Sequence, residues 1–161
     1  MGKERLRHIF AVDPGTSLCG WAFIDVPRPG VLVPRDLGTI VLSEGALHKR
    51  LGQLMGELTE HVDQARDLWA ECVVERPFVN QNHMATLAIA GARAVALALI
   101  GAAGLRFFEY SPQVWKMLTG DGRATPEKYT YFVRRLLKRD TLGPDAAAAA
   151  GMACYHATTT P

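Results

Sequence analysis

His8-Ile9-Phe10-Ala11-Val12-Asp13-Pro14-Gly15 runs from apolar residues into a single carboxylate and then at once into a turn. Gly20-Trp21-Ala22-Phe23-Ile24-Asp25 opens a second apolar run. The pattern predicts two strands of a hairpin, over 8–13 and 20–26, with an acid at the tip of the first. A strand end is a rigid mount, and the neighbouring turn leaves room for a ligand. Two readings of Asp13 therefore stand: a metal or catalytic carboxylate, or a residue that only supports the turn, since Asp-Pro and Pro-Gly are common turn pairs.

Working outward, residues 26–30 (Val-Pro-Arg-Pro-Gly) read as a turn-rich connection, and 36–42 as a third strand. Over 46–68, Leu47, Leu51, Leu54, Met55, Leu58 and Val62 fall at helical spacing with a polar opposite face. Glu71-Cys72-Val73-Val74-Glu75 is a short buried strand that again ends in a carboxylate, and 76–82 is a loop. An alanine-rich helix follows over 84–103, then a strand over 105–110 and a short helix from Ser111-Pro112. Thr125-Pro126 starts a helix that runs to about residue 138, with proline at its first position. A last helix starts near Pro144-Asp145. This order predicts an α/β domain in which a meander feeds strands joined by helical crossovers.

The 161 residues, 48% hydrophobic, are expected to form a single domain over 1–161. A net charge of +2 decides nothing about partners, but its distribution does. Between 113 and 139, Lys116, Arg123, Lys128, Arg134, Arg135, Lys138 and Arg139 face only Asp121 and Glu127. Lys3, Arg5 and Arg7 add a second basic segment, and together they suggest a polyanion-binding face. A solvated helix face is the plainer reading of either cluster. Cys19, Cys72 and Cys154 lack metal-ligand spacing and read as buried free thiols of a reducing compartment. The 84–103 stretch has the length of a membrane span, but Arg93 and its many small residues argue for a buried helix. No signal peptide precedes the first strand, so the chain is expected to be soluble and cytoplasmic.

Asp13 and Glu75 hold equivalent places at the ends of apolar strands. If those strands are neighbours, two carboxylates share one sheet edge and repel unless a cation lies between them. Magnesium or manganese suits such an all-oxygen site. Asp145 is the third candidate, although an acid at a helix start is also favoured by the helix dipole alone. Strand-end acids with one from a C-terminal helix suit two-metal phosphodiester hydrolysis. No P-loop or nucleophile elbow is present, and His8, His48, His61, His83 and His156 form no ligand pattern.

In order and spacing, Asp13-Pro14-Gly15, Gly20-Trp21, Val73-Val74-Glu75 with Phe78 and Asn82, and residues 91–96 resemble the RuvC-type Holliday-junction resolvases. Tyr110-Ser111-Pro112, Glu127-Lys128 and Asp145-Ala146-Ala147 continue the resemblance to about His156. It implies a ribonuclease-H-like fold, with a central mixed five-stranded sheet flanked by helices. It implies a magnesium-dependent homodimer, with manganese able to substitute, that cuts four-way DNA junctions. It does not identify a branch-migration helicase partner. Asp13, Glu75 and Asp145 would be the metal ligands and Lys128 a catalytic cation that stabilises charge at the scissile phosphate. Phe78, Asn80, Asn82, Lys116, Arg123 and Lys128 would contact DNA, with Phe78 stacking on unpaired bases. The 84–103 helix resembles the family's dimer helix, and the short chain fits a compact bacterial or phage-encoded member.

One departure stands out. The family carries two acids three residues apart on the last helix, on one face. Here the second position is Ala148. Either a natural chain has lost that acid, or the chain is an inactivated variant, which the intact remainder of the site favours. Both explanations predict poor cleavage. The rivals are a nuclease for flaps and other branched DNA, a junction-binding protein that does not cleave, and a metabolic α/β enzyme with incidental basic helices.

Overall fold

A computed structural model describes residues 6–77 and 82–161. Its strands are β1 (Arg7–Asp13), β2 (Leu18–Arg28), β3 (Val31–Val41), β4 (Glu71–Glu75) and β5 (Phe107–Tyr110). The helices are α1 (Leu47–Leu68), α2 (His83–Ala102), α3 (Pro112–Trp115), α4 (Pro126–Leu137) and α5 (Pro144–Thr159). A 3-10 turn, Lys116–Thr119, extends α3.

Among the described residues the strands form one mixed sheet in the order β3-β2-β1-β4-β5. The meander β1-β2-β3 is antiparallel, whereas β4 and β5 run parallel to β1. Strand alternation splits the core into two layers. Ile9, Ala11, Ala22, Ile24 and Val73 face α4 and α5, while Phe10, Val12, Phe23, Cys72 and Val74 face α1 and α2. By the same parity Asp13, Glu71 and Glu75 fall on the α5 side. Helix α5 is buried along nearly its whole length, from Ala146 to Cys154. Such a helix needs small residues all round, which accounts for its alanines.

The elements match the sequence reading except in three places. The connection expected over 26–30 is mostly strand: β2 runs to Arg28, only Pro29-Gly30 turns, and β3 begins at Val31 rather than 36. Pro34 sits inside β3 because β3 is an edge strand, where the missing N–H is not needed by a second neighbour. Met55 and Leu47 belong to the exposed side of α1, and its buried stripe is Leu54, Leu58, Val62 and Ala65. Helix α2 is not the buried helix expected. Only Ala92, Ala96 and Ile100 are buried, and Met84, Leu87 and Ile89 are exposed. It is long and apolar enough to cross a membrane, with mean hydropathy 1.8. All three cysteines are buried and free, as expected.

Candidate active site

Parallel pairing of β1 and β4 aligns Val12 with Val74. Asp13 and Glu75 are the next residues of each strand, so both acids leave the sheet at the same edge. Asp145 reaches that edge from the first turn of α5. Gly20 lies across from Asp13 in the β1–β2 register. A Cβ there would stand 2.0 Å from the Asp145 carbonyl oxygen and 3.1 Å from the Ala146 nitrogen. The absent side chain at Gly20 is thus what lets α5 seat Asp145 beside Asp13. At the opposite end of α5, His156 is fully buried, with Nε2 3.0 Å from Glu71 Oε2 and Nδ1 2.8 Å from the Tyr110 hydroxyl. Arg7 and Arg106 also donate to Glu71. The C-terminal end of the helix is therefore pinned to the sheet by polar contacts, and its start by close packing on Gly20.

Asp13 feels the charges of both other acids. Burial pushes the Asp13 carboxyl well above the usual carboxylate range. The charge of Glu75, a hydrogen bond with it and the charge of Asp145 push the same way, and the Lys116 ammonium opposes them. The Tyr129 hydroxyl is also pushed up, first by burial and then by the charges of Asp13, Glu75 and Asp145. Lys116 Nζ lies 5.3 Å from the Tyr129 ring centre and 5.9 Å from that of Trp115. Trp115 Nε1 donates to Glu75 Oε1 at 2.8 Å. Arg93 of α2 donates from Nε to the Glu75 carbonyl at 3.3 Å and pairs with Glu109.

A half-buried carboxylate cluster with excess negative charge is the donor chemistry of a hard divalent cation. Asp13, Glu75 and Asp145 fit such an ion in kind. Among the described residues, no three His, Cys, Asp or Glu side chains are gathered tightly enough to enclose one. One oxygen of the Glu75 carboxylate accepts from Trp115, and Glu75 also shares a hydrogen bond with Asp13.

The remaining sequence candidates are dispersed. Lys128 is exposed and paired with Asp121 at 2.7 Å, and it is Lys116 whose charge reaches Asp13. Arg123 is exposed near the start of α4, its backbone N–H bound to Asp121. Asn82 caps α2, accepting from the Ala85 N–H at 3.1 Å. Phe78 and Asn80 lie outside the described residues. Ala148 is 3% exposed, one turn along α5 from Asp145. His8 pairs with Asp25, and His61 stacks on Trp21. Sequence reasoning passed over Tyr129, Arg93 and the packing role of Gly20. Tyr129 follows Lys128 and opens the apolar face of α4, which was its available signal.

The family model for crossover junction endodeoxyribonuclease RuvC matches residues 9–156. The RuvC of Cereibacter sphaeroides strain ATCC 17029 is 38% identical over 152 residues, covering 92% of this chain and 88% of that protein. The RuvC of Halorhodospira halophila is 35% identical over 155 residues, covering 94% and 90%. Thermus thermophilus RuvC, solved in complex with Holliday junction substrate, superposes with a TM-score of 0.81 at 22% identity, covering 94% of this chain and 93% of that one. The yeast mitochondrial Holliday junction resolvase Ydc2 superposes at 0.60 and 13% identity, covering 94% and 78%. The fold is accordingly ribonuclease-H-like, as the resemblance implied. With the family model spanning both strand-end acids and the site-bearing helix as far as His156, the chain belongs to the RuvC family of crossover junction endodeoxyribonucleases.

Proposed function

We propose that this chain is one nuclease domain that binds four-way DNA junctions as a homodimer and hydrolyses their phosphodiester bonds only weakly. The observation that carries the reading is the meeting of Asp13, Glu75 and Asp145 at one sheet edge. These three side chains would hold magnesium, or manganese in its place. The bound ion supplies activation of water and charge stabilisation at the leaving oxygen. Lys116, beside Asp13, balances part of the negative charge of the acids and meets an approaching phosphate. Lys128 lies farther out and, exchanging Asp121 for DNA, steadies phosphate charge. Arg123 and Asn82, together with Phe78 and Asn80 as the resemblance implies, are the proposed DNA contacts.

The dimer is proposed to form through α2. Its exposed side carries Met84 and Leu87 and then Ala90, Ala94 and Ala98 at a spacing of four. Small residues on one stripe let two helices approach closely, and a second copy would cover this exposed apolar surface. A chain that acts on DNA works in the cytoplasm or nucleoid.

Weak cleavage rests on Ala148, which offers no oxygen at the position facing the site one turn after Asp145. The same residue favours a second reading, a junction-binding protein that does not cut. The deciding experiment incubates a synthetic four-way junction with this chain and with Ala148→Asp, in magnesium and in manganese. Binding by both proteins, with cleavage appearing or rising in Ala148→Asp, is the expected result. Cleavage by the unaltered chain at the rate of a four-acid relative refutes the impaired-site reading. Absence of salt-sensitive junction binding refutes the function. Equal cutting of flaps and junctions would point instead to a general branched-DNA nuclease.

A further inference from the structure

Trp115 is 1% exposed, and its indole N–H can only donate. A buried indole needs an acceptor, and here the acceptor is the site carboxylate itself: Nε1 to Glu75 Oε1, 2.8 Å. The ring has little freedom to offer any other geometry. It meets Tyr129 of α4 edge-on, with centroids 5.2 Å apart. Its far edge lies against Gly151 of α5, where a Cβ would be 3.0 Å from Cζ3 and 3.2 Å from Val133 Cγ2. Gly151 follows Ala148 by three residues, so the indole abuts the α5 face that carries the site. Helices α3, α4 and α5 thus fix the ring, and the ring fixes one oxygen of Glu75.

We propose that Trp115 is a positioning residue: its indole N–H holds Glu75 in the orientation that presents the carboxylate's other oxygen to a divalent cation at the acidic edge. This rests on the metal-site reading above. With alanine at 148, fewer carboxylates share the ion, and the orientation of each one present matters more. A second-sphere donor of this kind is worth about 10- to 100-fold in metal affinity.

The test uses manganese alone, with no DNA. The chain has three tryptophans, Trp21, Trp69 and Trp115, and so three indole N–H resonances. The one missing from Trp115→Phe belongs to Trp115. Added Mn2+ is expected to broaden that resonance first and to leave Trp69, which precedes the other end of β4, sharp. Trp115→Phe keeps an aromatic in the ring's place and removes the donor. It should bind Mn2+ about 10- to 100-fold more weakly while binding junctions normally without metal. Equal Mn2+ affinity in Trp115→Phe, or a Trp115 resonance untouched at saturating Mn2+, overturns the proposal. If Trp115→Phe fails to fold, Trp21→Phe and Trp69→Phe assign the Trp115 resonance by elimination, and its response to Mn2+ in the unaltered chain decides. No Mn2+ binding at all overturns both the proposal and the metal site. Mn2+ binding that behaves as described, without junction binding, overturns only the function.

Discussion

Replacing Gly20 by alanine should damage the acidic edge without altering any acid. The new Cβ would lie 2.0 Å from the Asp145 carbonyl oxygen and 2.4 Å from its carbon. Both are backbone atoms, so no rotamer change relieves the clash. To restore even a tight contact of ~3 Å, the first turn of α5 must retreat from β2 by about 1 Å, an overpacking strain that costs about 1–3 kcal/mol. At roughly 2–4 °C per kcal/mol for a chain of this size, the melting temperature should fall by about 2–12 °C. The retreat carries Asp145 away from Asp13. A misplacement of ~1 Å in a preorganised site costs up to about 100-fold. Mn2+ titration and thermal melting of Gly20→Ala measure both effects. Gly52→Ala is the control, because nothing lies within 4 Å of a Cβ there and the site is an exposed helix position. It should be neutral or slightly stabilising. A Gly20→Ala protein that melts and binds Mn2+ like the unaltered chain would refute the claim that this contact seats Asp145.

Further outcomes are expected. Burial and the neighbouring acids hold the Asp13 carboxyl well above its unfolded value of 3.8. Stability from its proton is full below that value and is lost as pH rises through the folded one. Metal-free protein should therefore melt lower as pH rises from about 4, and Asp13→Asn should flatten this loss, raise the melting temperature at pH 8 and abolish Mn2+ binding. Melts at several pH values check it. Ala148→Asp buries an unpartnered carboxyl in the metal-free state and should cost about 1–3 kcal/mol there, with Mn2+ restoring the loss. Equal melting with and without metal would count against a fourth ligand position at 148. Ala94→Arg, in the middle of the exposed stripe of α2, should convert a dimer to monomers in sedimentation while leaving the melting temperature of the fold nearly unchanged. A dimer that persists would move the interface elsewhere.

Much of the site was legible before any coordinates. The apolar runs 8–13 and 71–75 each end in an acid, which places Asp13 and Glu75 at strand tips, and chain order fixes the face each takes. The i, i+3 relation of Asp145 and Ala148 is equally local, and it is the family resemblance that implied an acid at the second position. Less local features were not legible. Residues 84–103 have the composition of a buried helix, and an interface helix has the same composition. Only the fold reveals that one narrow side packs and the rest is open. Lys128 and Lys116 are both basic residues near the start of helical segments. Their separation into an Asp121 partner and an Asp13 neighbour depends on how α3 and α4 pack.

By itself, then, the sequence determined the strands, the helix bearing Asp145 and the acids at the strand ends, because each follows from short-range pattern. The tertiary structure alone decided that β1 and β4 are neighbours, that Gly20 admits Asp145, and that the Trp115 indole is aimed at Glu75. Those depend on contacts between residues far apart in the chain, where close packing rather than local pattern selects the partner.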